Sequence, residues 1–501
     1  SPLSTNGHVR VLEEIAGVWT LKGSQINGAA SGDEFGYATA INGDGTIIAV
    51  GSLQPATGTG NVKVFSWDGT SWLQMGATIT GVNSGEEFGC SVSLNNSGNI
   101  LAIGARESNA NGTNSGQTKV YEWDGVTWNL IGSPINGEAS QDFSGYAVSL
   151  NNAGNILAIG AIDNDGGGSS AGHTRIYEWD GSAWTQKGSD IDGQNVNDLS
   201  GCSVSLSADG LVVAIGERAN DATGSDAGRA RVFAWSGTTW IQKGGNINGE
   251  AAGDFSGYSV DMDEAGEIIA IGASDNDAGG ISRGHVRVYF FNGSSWFRAF
   301  SQDLDGAANN DFYGGSVSLN RSGERLSVGA RRHDAGGINA GATYIYKRTN
   351  SISACATTSF TETLVSQTEV NNFQNLYPGC TEFLGNLRII DNNDAFDNVI
   401  DLSPLLPLTH IHGDLIIQGN QNLEALLGLD DLIYIGDDLN IDNNDMIGDL
   451  DGLFGLDSII GDLIVERNDG LTTMSLLNDL VNVGGSLIIR NNLSLIDLDG
   501  M

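Results

Sequence analysis

Basic residues are scarce in this chain. Only 23 of its 501 residues are Lys or Arg, against 61 Asp or Glu, for a net charge of −38 and a pI near 4.1. Such a surface repels polyanions, which excludes nucleic acid and anionic membranes as expected partners. Long apolar runs are missing too. No window approaches about 18 apolar residues, so no direct membrane insertion by a helix is expected. Histidine numbers six and cysteine four. There is no GxSxG, no phosphate-binding P-loop and no HExxH, so the chain is not expected to be an enzyme. The acidity itself has two readings: solubility in a salty setting, or affinity for divalent cations.

Glycine and tryptophan are what the chain has in pattern. The 72 glycines mark a protein of tight turns. All ten tryptophans fall in two series. Trp72, Trp128, Trp184, Trp240 and Trp296 recur every 56 residues, with Trp19 53 before the first. Trp67, Trp123, Trp179 and Trp235 keep the same interval, and Phe291 continues it. Within one repeat the hydrophobic period is two, the signature of strands. Strand A is of the Gly257 to Met262 type and strand B of the Ile268 to Ala273 type. Strand C runs from His285 to Phe291, and strand D starts at Trp296. Asp124-Gly125, Asp180-Gly181, Ser236-Gly237 and Asn292-Gly293 supply hairpin turns between C and D.

Four antiparallel strands in about 40–60 residues predict a mainly β protein built on a β-propeller. A β-sandwich array would need about seven strands in roughly 100 residues, which this period does not supply. Six full A–B–C sets follow a leading C–D pair at residues 7–22, and the last C strand (342–347) has no D strand after it. Six or seven blades are possible, and that leftover strand leans towards seven. The paired tryptophans are expected to fill the wedge between blades, with sugar stacking as the alternative for any that are exposed.

The pairs Phe35-Gly36 and Phe88-Gly89, the VGS or IGA endings of strand B and the G-x-V-x-V strand resemble the FG-GAP repeat family. That family includes the integrin α-subunit propeller and many bacterial surface proteins. The closing Trp-x-x-x-Gly strand is similar to its bacterial branch. Integrin-type repeats often carry a calcium loop between A and B. Here those turns read NGDGT, NNSGN, NNAGN, SADGL, DEAGE and NRSGE, too poor in carboxylates for calcium, so that site is not carried over.

Residues 1–348 are therefore read as the propeller, and the Ser/Thr-rich stretch 349–380 as linker and cap. From 381 to 501 a second period begins. Leu387, Leu415, Leu439, Leu463 and Leu487 each start a short strand. Asn392, Asn420, Asn444, Asn468 and Asn492 lie five residues later. This is the leucine-rich solenoid pattern, with asparagines expected to stack as an inward ladder. The phrase YPGCTEFLGNL resembles the receptor L-domain family. The chain opens inside a repeat, since residues 7–11 duplicate the pattern of 284–288, and it stops abruptly at Met501. It is expected to be a mature or excised piece of a longer polypeptide.

Two carboxylate series are candidate ligand or cation sites. One precedes strand A and includes Glu34, Glu87, Asp142, Asp198, Asp254 and Asp311. The other lies in the B–C loop: Asp165, Asp221, Asp277 and Asp334, with Asp163 and Asp275 beside two of them. Strand alternation puts both series on one rim of the ring. The competing reading is that they cap tight loops through local hydrogen bonds. Cys90 and Cys202 share a repeat position with Tyr37, Tyr146, Tyr258 and Gly315 and are expected to be small buried hydrophobes. Cys355 and Cys380 could pair, which suits an extracellular compartment. His8, His173 and His285 share one strand-C position and read as blade residues. His410 and His412 could ligate a metal, but no Cys or third His lies at metal spacing nearby.

The composition and the two resemblances imply an extracellular or cell-surface adhesion or recognition protein. It resembles surface proteins of the Bacteroidota, often exported by the type 9 pathway, so secretion or outer-membrane machinery is a possible partner. The expected ligand is a glycan or protein held by the propeller-face loops, with possible calcium assistance. The alternatives are a structural spacer or filament subunit, or an exported cargo.

Overall fold

The computed structural model describes residues 6–496 except 16, 54–57, 278–279, 292–294, 299–302, 335–336, 338–339, 348–353, 356–360, 378, 392–396, 475–476 and 478–479, and except the side chains of 297, 354 and 355. The chain divides into two compact units. One comprises Ser1–Trp296 with Asp303–Arg348, the other Phe297–Gln302 with Thr349–Met501.

The first unit is a six-bladed β-propeller. In blade 3, strand A is Ser144–Leu150, B is Ile156–Ala161, C is His173–Trp179 and D is Trp184–Gln186, hydrogen-bonded in that order. A short fifth strand, Ile191–Asp192, pairs with the start of C. Blades 1, 2, 4 and 5 repeat this sheet, and among the described residues blade 6 has A, B and C. The blade number corrects the leaning towards seven. The leading C–D hairpin forms small sheets of its own (His8–Val9 with Ile26–Asn27, Leu12–Ile15 with Val18–Leu21), and no seventh A–B pair occurs among the described residues.

Strand B is the core of each blade, which is why it reads as a continuous apolar run. Every residue of Ile100–Ala105, Ile156–Ala161 and Ile268–Ala273 is buried. Blades meet through glycine. A Cβ on Gly104, Gly160, Gly216 or Gly272 would lie 2.0–2.1 Å from the carbonyl oxygen of Gly145, Gly201, Gly257 or Gly314 on the next blade. Only a residue without a side chain permits that approach. The tryptophans close the outer part of the wedge. Trp128 Nε1 donates to Met75 O on the preceding blade at 3.1 Å, and Trp240 Nε1 to Lys187 O at 2.8 Å. Gly76, Gly132 and Gly188, four residues after a D-strand Trp, lie against the paired rings of the following blade. The Trp-x-x-x-Gly strand is thus an inter-blade joint.

At the narrow mouth the A–B turns join edge to edge. Gly43 N donates to Asn96 O, Asn96 N to Asn152 O, Asn152 N to Ala208 O, Ala208 N to Glu264 O, and Glu264 N to Arg321 O, all within 2.9–3.1 Å. They surround a polar cavity of about 490 Å³.

The junction between blades 6 and 1 is built differently. Among the described residues, the atoms nearest a Cβ on Gly329, the strand-B glycine of blade 6, all belong to Ser316 of its own blade. Ile41 on strand A of blade 1 is 53% exposed, whereas its counterparts Leu94, Leu150, Leu206 and Met262 are 6–9% exposed. The leading hairpin stands here instead. Arg325 pairs with Glu14 and lies over the Trp19 ring, while Val9, Val11 and Ile26 pack on Phe35 and Val50 of blade 1.

The second unit is a parallel β-solenoid with two six-stranded sheets. The strands Asn386–Ile390, Leu415–Gln418, Leu439–Asp442, Leu463–Glu466 and Leu487–Arg490 contain the periodic leucines. The asparagine ladder forms as its spacing predicts. Asn420 N donates to Asn444 Oδ1, Asn444 N to Asn468 Oδ1 and Asn468 N to Asn492 Oδ1, each at 2.9 Å. The three side-chain amides donate to Ile389 O, Ile417 O and Ile441 O. Asn392 lies outside the described residues. The stretch read as linker and cap in fact supplies a first coil. Thr361–Leu364 pairs with Asn386–Ile390, and helix α1 (Gln367–Leu376) follows, capped by Ser366 and burying Val370 and Phe373.

Candidate functional site

The rim carrying the D–A and B–C loops is the candidate site, and its two carboxylate series have different surroundings. Asp142, Asp198, Asp254 and Asp311 are 1–3% exposed. Their carboxylates accept backbone N–H bonds from the D–A turn: Ala139 N to Asp142 at 2.7 Å, Asn195 N to Asp198 at 2.9 Å, and Ala251 N to Asp254 and Ala308 N to Asp311 at 2.9 Å. Three of them also reach the B–C loop of the same blade, through Asn164 to Asp142, Asn220 to Asp198 and His333 to Asp311. The expected meeting of the two loops on one rim is therefore observed. Asp142, Asp198 and Asp311 tie the two loops together, and as buried caps all four acids are not open to an external ligand.

The B–C loop acids are the accessible ones. Asp165, Asp221, Asp277 and Asp334 are exposed, and Asp163 and Asp275 half-buried. Three of them also cap their own turn, accepting from Ser170 N, Asp226 N and Ser282 N. Burial holds the Asp163 carboxyl above the ordinary carboxylate range.

Arginine is the unexpected feature of the rim. Tyr37 lies just before strand A of blade 1 and Tyr146 and Tyr258 near the start of strand A of blades 3 and 5, while Arg106, Arg218 and Arg331 follow strand B of blades 2, 4 and 6. They interleave. Arg106 contacts the Tyr37 hydroxyl at 3.5 Å and lies 5.2 Å from the Tyr146 ring centre. Arg218 donates to Tyr146 Oη at 3.2 Å and stands 5.8 Å from the rings of Tyr146 and Tyr258. Arg331 lies over Tyr258 and Phe312, at 5.9 and 4.6 Å. Each guanidinium is held by aromatic faces, a contact suited to its flat, weakly hydrated charge. Arg106 also pairs with Glu87 at 2.6 Å. Burial raises the Tyr37 and Tyr146 hydroxyls above their ordinary value. Phe143, Leu199, Phe255 and Phe312 hold φ of 52–53° just before strand A, a strained setting that fixes how the rim turns.

The cysteines under this arc are buried thiols. Cys90 and Cys202 are free, with Sγ 3.5 and 3.3 Å from Gly145 O and Gly257 O, and burial pushes the Cys90 thiol up to about 11. Cys380 is disulfide-bonded, while the Cys355 side chain lies outside the described residues. His410 and His412 stack on each other and against Tyr434, with His412 3.3 Å from Glu382. No metal-holding group of three forms around them among the described residues.

No protein-family model and no curated protein matches the chain. Among solved structures it is similar to Kuenenia stuttgartiensis hydrazine synthase at 13% identity, over 59% of this chain and 73% of that one, with a TM-score of 0.41. It is also similar to a Bacteroides uniformis protein described as a candidate 6-phosphogluconolactonase, at 10% identity over 66% and 85% of the two chains, with a TM-score of 0.45.

Proposed function

We propose that this is an extracellular or cell-surface recognition protein, binding a glycan or protein ligand on the rim of its propeller. The observation that carries the reading is the arginine–tyrosine arc. In a chain of 23 basic and 61 acidic residues, three arginines converge on one mouth, each framed by aromatic rings. Such a face offers stacking and bidentate donors together, which suits a sugar or peptide bearing a carboxylate or sulfate. The exposed Asp165, Asp221, Asp277 and Asp334 stand on the B–C loops and are the acids open to calcium assistance. The FG-GAP and L-domain resemblances, and with them a Bacteroidota-type surface protein exported by the type 9 pathway, fit the same reading. Screening the chain on glycan and protein arrays with calcium, and again with chelator, tests it. Binding to a defined acidic class supports the proposal, and no binding under either condition overturns it.

A further inference from the structure

Blades made from one repeat form an internal alignment, and one constellation varies between them in a correlated way. In blade 3, His173 opens strand C and pairs across the sheet with Asp192. Its Nδ1 is 3.6 Å from Asp190 Oδ2 and 3.9 Å from Asp192 Oδ1. Glu138, His173 and Asp190 offer ligand atoms that all lie within 4.8 Å of one another. His173 is 1% exposed, and neither of its ring nitrogens has a hydrogen-bond partner among the described residues. Asp192 Oδ1 is likewise buried without one. Unsatisfied buried polar atoms are rare and costly, and here three meet at one place.

The equivalent positions in blade 5 repeat the set as Glu250, His285, Asp303 and Asp305. Blade 4, between them, has Gln194, Arg229, Asn246 and Asn248. In blades 3 and 5 histidine arrives with three carboxylates, and in blade 4 arginine arrives with three amides. Were the position there to supply a fixed positive charge to the acids, arginine would be the residue found beside them. The reverse holds, and Arg229 turns instead to Glu217 and Asp198. A neutral ligand nitrogen among carboxylates, replaced as a whole set elsewhere, is the pattern of a bound cation.

We propose that blade 3 binds one divalent ion of the zinc class through His173, Asp190, Asp192 and Glu138. An imidazole nitrogen with carboxylate oxygens suits zinc and its transition-series neighbours, whereas calcium prefers six to eight oxygens. Arg175 holds the outer side, with Nη1 3.4 Å from Glu138 Oε1 and Nη2 donating to Asn136 O at 2.9 Å. A partner of this kind orients a ligand carboxylate. Blade 5 is not assigned an ion, because Arg287 already takes Asp303 through two bonds of 2.9 and 3.1 Å and reaches Glu250. His8 in the leading hairpin has Gln25 and Asn27 at the matching places and no acid set. The ion would staple strand C to the loops on both sides of the blade, independently of any ligand on the rim.

The test is a zinc titration of the metal-stripped full chain, with cobalt as a spectroscopic probe. One zinc per chain, a visible cobalt band and no displacement by millimolar calcium are expected. The variant Glu138→Gln/Asp190→Asn/Asp192→Asn writes the amides of blade 4 into blade 3, a set this fold already carries. It is expected to weaken zinc binding at least about 100-fold, beyond the roughly 10–100-fold cost of losing an outer partner, with an unchanged Tm in chelator. Asp303→Asn in blade 5 leaves the stoichiometry at one. No zinc bound by the parent chain, undiminished binding in the triple variant, or loss of the ion in Asp303→Asn overturns the assignment.

Discussion

Blades 3 and 4 meet through Gly160 pressed on the backbone of Gly201, while at the junction of blades 6 and 1 the described atoms nearest a Gly329 Cβ belong to its own sheet. The two glycines occupy the same place in the repeat and look alike in sequence. One is required by a 2.0 Å approach, and the other is a copy with no next-blade carbonyl among its nearest described atoms. A repeat therefore transmits residues faithfully but not contacts. The contacts depend on what stands in the next position round the ring, and at this junction that is the leading hairpin.

Substitutions sharpen the contrast. Gly160→Ala drives a methyl group into a backbone carbonyl and is expected to destabilise the propeller by about 3 kcal/mol. Gly329→Ala meets only the rotatable Ser316 hydroxyl and is expected to stay within about 0.5 kcal/mol. Guanidinium unfolding followed by tryptophan fluorescence measures both, since every tryptophan lies in the propeller unit. Equal losses would erase the distinction between the junctions. Leu150→Ala and Ile41→Ala make the same comparison on strand A, with about 3 kcal/mol expected for the buried leucine and less than about 1 for the half-open isoleucine.

The solenoid solves its stacking problem with polar ladders rather than bare backbone. Asn444→Ala removes the acceptor for Asn420 N and the donor for Ile417 O. It is expected to cost about 2–3 kcal/mol, seen by far-UV circular dichroism with no shift in the tryptophan transition. A coincident shift of both signals would contradict separate units.

The smallest expected effect is in pH. Asp68 sits in the exposed C–D turn of blade 1, where the N–H groups of Ser71 and Thr70 lower its carboxyl to about 2. Its pKa is depressed in the folded chain, so its contribution is present above the ordinary carboxylate value of about 4 and fades as pH falls through about 2. Asp68→Asn should flatten the acid limb of the propeller melt slightly, and an unchanged limb would remove Asp68 as a contributor.

Much of this architecture is legible from recurrence. The two tryptophan series, strand B and the asparagine ladder all repeat at the period of the structural unit, so spacing alone places them. What recurs at twice the period is harder to see. Arg106, Arg218 and Arg331 are 112 and 113 residues apart, and His173 and His285 are 112 apart. A reading at 56 treats such residues as exceptions, yet alternate blades put them on one mouth or repeat them as one constellation. Burial is illegible for another reason. Asp142 and Asp165 are equally acidic loop residues, but only the fold turns one inward as a cap and leaves the other in water. The first solenoid coil escapes notice because Thr361–Leu364 has a single apolar residue, too little for a pattern.

The claim that the arginine–tyrosine arc is the recognition surface has a direct test. Arg106→Gln/Arg218→Gln/Arg331→Gln should be applied beside the parent chain to whichever array ligand the parent retains. The account predicts that binding falls at least about 100-fold, as when several charged donors are removed together, while the propeller melt and zinc stoichiometry stay as in the parent. Undiminished binding by the triple variant would contradict it and move the ligand to another face.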